Sequence, residues 1–356
     1  MKAQANGNMI MLAGQARGLT QIELAKMAGL QQGSVSKIEQ GTLHLSDEAL
    51  QRLADALNLQ AGFFVQQYGH SRPVTPFHRS RKRLSVKKRL EVESTANLIL
   101  LCLQRLAAEV EIPDGPLRIS VDEQENSPEE IAFKVRKRWK VPPGPIDNVV
   151  KLLEDNGIFV VNLDFGTKDI DAFTLVSDLG VSAIFVNSNL PGDRLRWSLC
   201  HELGHIVMHE YPTEECEPEA NAFASEFLMP QEEIFESLEQ LSITALPDLK
   251  RHWKVSMWSI IVWASKIGAI TPNRYRKLCE TMVYGGFRTK EPDYLQIPKE
   301  RPSLMHDLAH FFRTDFKYES KDLAAFLYVS ESDLISWNLW PREPRNLIDF
   351  PGMSTT

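Results

Sequence analysis

The stretch Arg194-Leu195-Arg196-Trp197-Ser198-Leu199-Cys200-His201-Glu202-Leu203-Gly204-His205-Ile206-Val207-Met208-His209 decides how this chain is read. Leu195, Leu199, Leu203, Ile206 and Val207 recur at helical spacing, and Asp193, behind Pro191-Gly192, is the expected N-cap. On such a helix His201 and His205 lie four residues apart, project from one face and can grip a single zinc ion. Glu202 sits one position round, where its carboxylate can act as general base toward a water on that ion. Gly204 leaves space for another segment to approach closely.

Two histidines leave a tetrahedral zinc short of a third protein ligand, which a second element must supply. Residues 217–230, EPEANAFASEFLMP, form a helical pattern with Ala220, Phe223, Ala224, Phe227 and Leu228 as its apolar stripe. Pro218 suits a first turn and Pro230 a stop, so a carboxylate near the start can face the histidine helix. Together the two segments resemble the ImmA/IrrE group of zinc metallopeptidases, relatives of the gluzincins. In that group the third ligand is the Glu of E-x-x-A-N/D. The resemblance therefore implies Glu217 as ligand, with Asn221 one turn later orienting a ligand histidine. Glu219 is the alternative ligand, its competing role being that of a solvent-facing helix residue.

Nearby residues carry weaker signals. His209 continues the series from His205 and either stands behind the ligands, helping to hold substrate or a transition-state oxygen, or caps the helix dipole. Cys216 precedes Glu217 and is either a thiol able to reach the ion or an ordinary cysteine. The strand-like run Val181 to Asn187 stands where related enzymes place an edge strand, which implies a backbone rail for extended substrate. His306 and His310 repeat the spacing of the first pair, but Asp307 is a shorter base and no acidic segment follows, so they read as an ordinary helical face.

The amino-terminal part follows a different pattern. Short amphipathic runs, Met9 to Ala16, Gln21 to Ala28, Gln32 to Gln40 and Asp47 to Leu57, are separated by Gly29 and Gly41. Thr20 and Glu23 stand as a capping box, and Ser46 as a later N-cap. Residues 18–41, GLTQIELAKMAGLQQGSVSKIEQG, resemble the helix-turn-helix of phage-repressor-like regulators, the XRE or Cro/C1 type. The resemblance implies that the helix from Gln32 enters the major groove of double-stranded DNA. Gln32, Ser34 and Lys37 would then reach base edges and Gln21 a phosphate. Ala25, Ala28, Leu30, Val35 and Ile38 are the expected core, and a protein-binding helical bundle is the competing reading.

Charge supports the first reading. Residues 1–90 hold 13 Lys plus Arg against 5 Asp plus Glu, a balance of +8, which leaves −15 for the rest of a chain whose net charge is −7. Seven of those basic residues fall between Arg79 and Arg89, in a run that contacts DNA, forms a solvated linker or clamps the acidic remainder. A connecting helix is expected from Ser85 to Val110.

A chain of 356 residues, 43% of them hydrophobic, can bury a sizeable core in two or three domains. No apolar run is long enough to span a membrane, the start belongs to a periodic helix rather than a signal peptide, and four scattered cysteines form no framework. The expected compartment is the cytoplasm.

The expected fold is α+β and predominantly helical. An all-α five-helix helix-turn-helix domain (1–68) leads through a basic linker and connecting helix (69–125) to a small-sheet, zincin-like peptidase domain (126–235) and a helical C-terminal region (236–356). Residues 157–162, 172–177 and 181–187 should be the strands. Residues 249–270 and 322–337 also have a helix-turn-helix look, though core helices share that pattern. The implied function is a zinc-dependent endopeptidase joined to a DNA-binding head, acting as a homodimer on a repressor or antitoxin-like protein. The alternative is a regulator whose peptidase-like domain only senses a ligand, metal or partner.

Overall fold

The computed structural model describes residues 5–66, 84–110, 112–113, 115–121 and 126–340; the part of the basic run from 77 to 83 lies outside them. The head comprises α1 (Gly7–Ala16), α2 (Gln21–Met27), α3 (Gln32–Glu39), α4 (Asp47–Leu57) and a 3-10 helix (Ala61–Val65), which is the fifth helix. Thr20 and Glu23 form the reciprocal capping box at α2, and Ser46 accepts from the Ala49 N–H at α4. Ala25, Ala28, Val35 and Ile38 are buried, with Leu30 half-buried beside them.

A single long helix, α5 (Val86–Ala108), follows. It packs along the head through Ser94 Oγ, 3.0 Å from Gln15 Oε1, and Thr95 Oγ1, 3.3 Å from the Ala16 carbonyl. Then come α6 (Pro128–Arg138), α7 (Val149–Asp155), β1 (Ile158–Leu163), β2 (Ala172–Val176), β3 (Ser182–Asn187) and the histidine-bearing α8 (Gly192–Met208). The chain continues through α9 (Cys216–Leu228), α10 (Gln231–Leu238), α11 (Leu246–Trp253), α12 (Met257–Lys266), α13 (Pro272–Tyr284), α14 (Leu304–Thr314), α15 (Ser320–Leu327) and α16 (Glu331–Ser336).

The sheet order is β1-β3-β2, with β3 parallel to β1 and antiparallel to β2. Residues Val181 to Asn187 therefore run through the middle of the sheet rather than along its edge. All six residues of β3 are buried and its backbone pairs on both sides, so it offers no rail; among the described residues β2 has the unpaired edge beside α8.

Period-two alternation makes this sheet a wall between two cores. Phe159, Val161, Phe173, Leu175, Ala183 and Phe185 face the head, α5 and α14–α16. Ile158, Val160, Ile184 and Val186 face α6–α13. The histidine helix lies on the second side.

Two buried cations fasten α8 to later segments. Arg196, fully buried, is paired with Glu300 and donates to the Ile146 carbonyl at 2.6 Å. Lys250 is paired with Asp193 and, at 2.7 Å, with Glu291. Asp193 is thus not the N-cap. Pro191 holds that position, because Gly192 is pressed under the Ile297 carbonyl with no room for a Cβ and the helix begins there.

Candidate functional site

Three of the residues singled out above meet at one point. His201 and His205 face the same side of α8, with their Nε2 atoms 3.0 Å apart. Helix α9 crosses directly over them because Gly204 carries no side chain: a Cβ there would lie 3.2 Å from the Phe223 ring and 3.3 Å from the Ala220 Cα. That approach brings Glu217 Oε2 to 3.8 Å from His201 Nε2 and Glu217 Oε1 to 3.6 Å from His205 Nε2. Ligand atoms at about 2.0–2.1 Å from a tetrahedral ion stand roughly 3.3 Å apart, so the three donors fit one divalent cation of the zinc type.

The ring nitrogens on the far sides of both histidines are also engaged. His201 Nδ1 lies 3.1 Å from Asn221 Oδ1, an acceptor that places the ring proton on Nδ1 and leaves the Nε2 lone pair for a ligand. His205 Nδ1 lies 2.8 Å from His209 Nδ1, and His209 Nε2 lies 2.9 Å from Glu219 Oε2. Glu219 therefore turns to His209 and Glu217 to the histidine pair, which separates two carboxylates that spacing left open. His209 is the C-cap of α8 yet only 5% exposed. Burial, aided by His205 and His201, pushes its imidazole down to about 3, so it is a neutral hydrogen-bonding partner rather than a compensating cation.

Glu202 is buried at 7% exposure beside the pair. Burial raises its carboxyl above the ordinary range, while His205 and a hydrogen bond from Thr174 oppose the rise. Thr174 Oγ1 donates to Glu202 Oε2 at 2.8 Å from the middle of β2. No spacing in the sequence singled out this threonine. The signal available was a lone hydroxyl between the apolar Phe173 and Leu175. Thr174 thus holds the carboxylate beside the histidine pair, where it can accept a proton from a water.

His306 and His310 lie exposed on α14, in keeping with an ordinary helical face. Cys216 is buried, with its Sγ 3.3 Å from the Thr213 amide nitrogen.

In the head, Gln21 and Gln32 meet. Gln32 Nε2 donates to Gln21 Oε1 at 2.9 Å, and Gln21 Nε2 donates to Glu39 Oε2 at 2.6 Å. This chain ties the start of α2 to both ends of α3. Gln32 and Lys37 are exposed and Ser34 is half-buried, so all three lie off the inner face of α3, which Val35 and Ile38 hold.

The comparisons with known proteins agree with these two places. Residues 153–262 match the family model of the IrrE N-terminal-like domain, an M78 peptidase family. Residues 13–64 match the helix-turn-helix family model. No curated protein matches the chain. Among the described residues no helix is long and apolar enough to cross a membrane.

Proposed function

We propose that this chain, a helix-turn-helix head joined to an IrrE N-terminal-like peptidase domain, is a DNA-binding regulator that makes a selective, zinc-dependent cut in a repressor or antitoxin-like protein. The observation that carries the reading is the convergence of His201, His205 and Glu217 on one point beside the buried carboxylate of Glu202. A zinc ion held there supplies Lewis acidity toward a water and the scissile carbonyl.

The chain's own residues then divide the work. Glu202 takes the proton of the attacking water and returns it to the leaving amine, with Thr174 holding the carboxylate in place. Asn221 and His209 hold the two imidazoles in the orientation that points each Nε2 inward. The unpaired edge of β2, beside Thr174, aligns an extended substrate by backbone hydrogen bonds. In the head, Gln32, Ser34 and Lys37 read base edges and Gln21 reaches a phosphate, two heads of a homodimer serving two half-sites. A net positive balance in the amino-terminal part alone favours one DNA-facing surface on an otherwise acidic protein.

The test incubates the wild-type chain and Glu202→Gln with zinc and with repressor-type proteins encoded beside it. Cleavage that disappears in the variant, while bound zinc stays at the wild-type level, supports the peptidase. Equal loss of zinc and cleavage would make Glu202 structural. A wild-type chain that binds zinc and operator DNA but cuts none of those proteins would instead favour a sensor.

A further inference from the structure

Beyond His205 the same two helices place a second group of metal-type donors. His209 at the end of α8, Cys216 at the start of α9 and Glu219 one turn on bring a ring nitrogen, Sγ and a carboxylate oxygen within 4.8 Å of one another, and His209 Nε2, the nitrogen turned away from His205, lies 2.9 Å from Glu219 Oε2. His209 and Cys216 are buried, at 5% and 2% exposure. The sulfur accepts from the Thr213 N–H at 3.3 Å, stands 3.3 Å from the Thr213 hydroxyl and donates to the Tyr211 carbonyl at 3.6 Å, contacts that hold it at the start of α9 on the side of His209 and Glu219. We propose that His209, Cys216 and Glu219 form a second cation site, selective for borderline or soft divalent ions such as zinc and cadmium. A nitrogen, a sulfur and a single carboxylate match those ions and not magnesium or calcium, which take oxygen ligands.

The site's placement gives it a consequence for the first centre, a step that rests on the reading of His201, His205 and Glu217 as ligands. When His205 Nε2 holds an ion, its only N–H is on Nδ1 and must donate to His209 Nδ1, 2.8 Å away. The remaining His209 N–H is then on Nε2 and donates to Glu219 Oε2. An ion on His209 Nε2 needs that lone pair, which places the His209 proton on Nδ1. Two N–H groups would then face each other across 2.8 Å. The two sites therefore oppose one another: the outer ion weakens the inner, and excess zinc restrains the enzyme through His209.

Cadmium is the probe, because a cadmium–thiolate bond has its own ultraviolet charge-transfer absorption. Titrations are run on the full chain carrying Cys279→Ser, the half-exposed cysteine; Cys102 and Cys200 are fully buried, and burial raises both thiols, the first to about 12. Two bound cadmium ions per chain are expected, with the thiolate band developing with the weaker one. Cys216→Ser should bind one ion without the band. Glu219→Gln, close in shape, should weaken the banded site about tenfold or more, while Glu217→Gln should leave the band and weaken the other site. A band that survives Cys216→Ser, or its absence from the parent chain at saturation, overturns the proposal. Zinc in excess should weaken the first ion's binding about tenfold or more in the parent but not in Cys216→Ser; equal weakening in both would refute the opposition. A chain that shows the band and cuts no protein supports this site and removes the peptidase reading instead.

Discussion

Helices α2–α3 in the head and α15–α16 near the C-terminus are built on one register, at a constant offset of 299 residues. Leu24, Ala25, Ala28, Val35 and Ile38 correspond to Leu323, Ala324, Leu327, Leu334 and Trp337, and all ten are buried. Gly29, left-handed at φ 63°, corresponds to Tyr328 at φ 59°. The capping pair Thr20 and Glu23 corresponds to Glu319, whose N–H donates to Asp322 at 2.9 Å.

The outward positions differ completely. Where the head has Gln32, Ser34 and Lys37, the C-terminal pair has Glu331, Asp333 and Ser336. Asp333 is not turned to solvent. It accepts a two-pronged ion pair from Arg17 of the head, at 2.8 and 2.6 Å, while Asn58 donates to Ser330 and Ser332 at 3.1 Å. Tyr328 lies under the Arg105 guanidinium and against Gly62, where a Cβ would come within 2.5 Å of the ring. Acidic residues at the helix start favour a protein surface over phosphates. The helix-turn-helix shape is thus a packing solution written in buried positions, and what it binds is written separately in the outward ones. The pair α11–α12 repeats the lesson. It has left-handed Lys254 at the turn, and Val255, Ile260 and Trp263 are buried in the same apolar cluster as the histidine helix.

The comparison can be broken most sharply at its core. Leu24→Ala and Leu334→Ala should each lower unfolding stability by about 2–5 kcal/mol in denaturant titrations, and a negligible loss at Leu334 would undo the shared frame. Arg17→Ala removes a charged partner from the nearly buried Asp333; a loss of about 1–3 kcal/mol is expected in the same titration, with much of it recovered in Arg17→Ala/Asp333→Ala. At the outward positions, Gln32→Ala and Lys37→Ala should each weaken operator binding by about 1–3 kcal/mol in gel shifts, with Glu331→Ala and Ser336→Ala neutral. Equal weakening from the C-terminal changes would give both units DNA chemistry. The smallest effect expected is at the cap, where Thr20→Ala should lower the midpoint of thermal unfolding by an amount equivalent to about 1 kcal/mol.

Helix-borne features were the most legible. His201 and His205 are fixed by spacing along one helix, and the glycine between the crossing helices announced the close approach that carries Glu217 inward. The head was equally readable, because Thr20, Gly29 and Ser46 punctuate it with local chemistry. Through-space relations were not. Thr174 reaches Glu202 only because β2 pairs with β3, and the choice of Glu219 as partner for His209 depends on the rotation of α9. The central place of β3 was misread, although its run SAIFVN, with no exposed residue, carries the signature of a strand covered on both faces. The start of α8 was misjudged for a similar reason, since the carbonyl pressed against Gly192 arrives from residue 297.

The apolar cluster that joins the head, α5, one face of the sheet and α14–α16 has a consequence for any cut the chain makes in itself. Severing the backbone between the head and α5 would not set the head adrift, since Leu12, Leu53 and Phe64 belong to the same buried cluster as Leu103, Phe185 and Leu334. The two pieces would run as separate bands on a denaturing gel and travel as one particle on a sizing column, a nicked protein that keeps its shape.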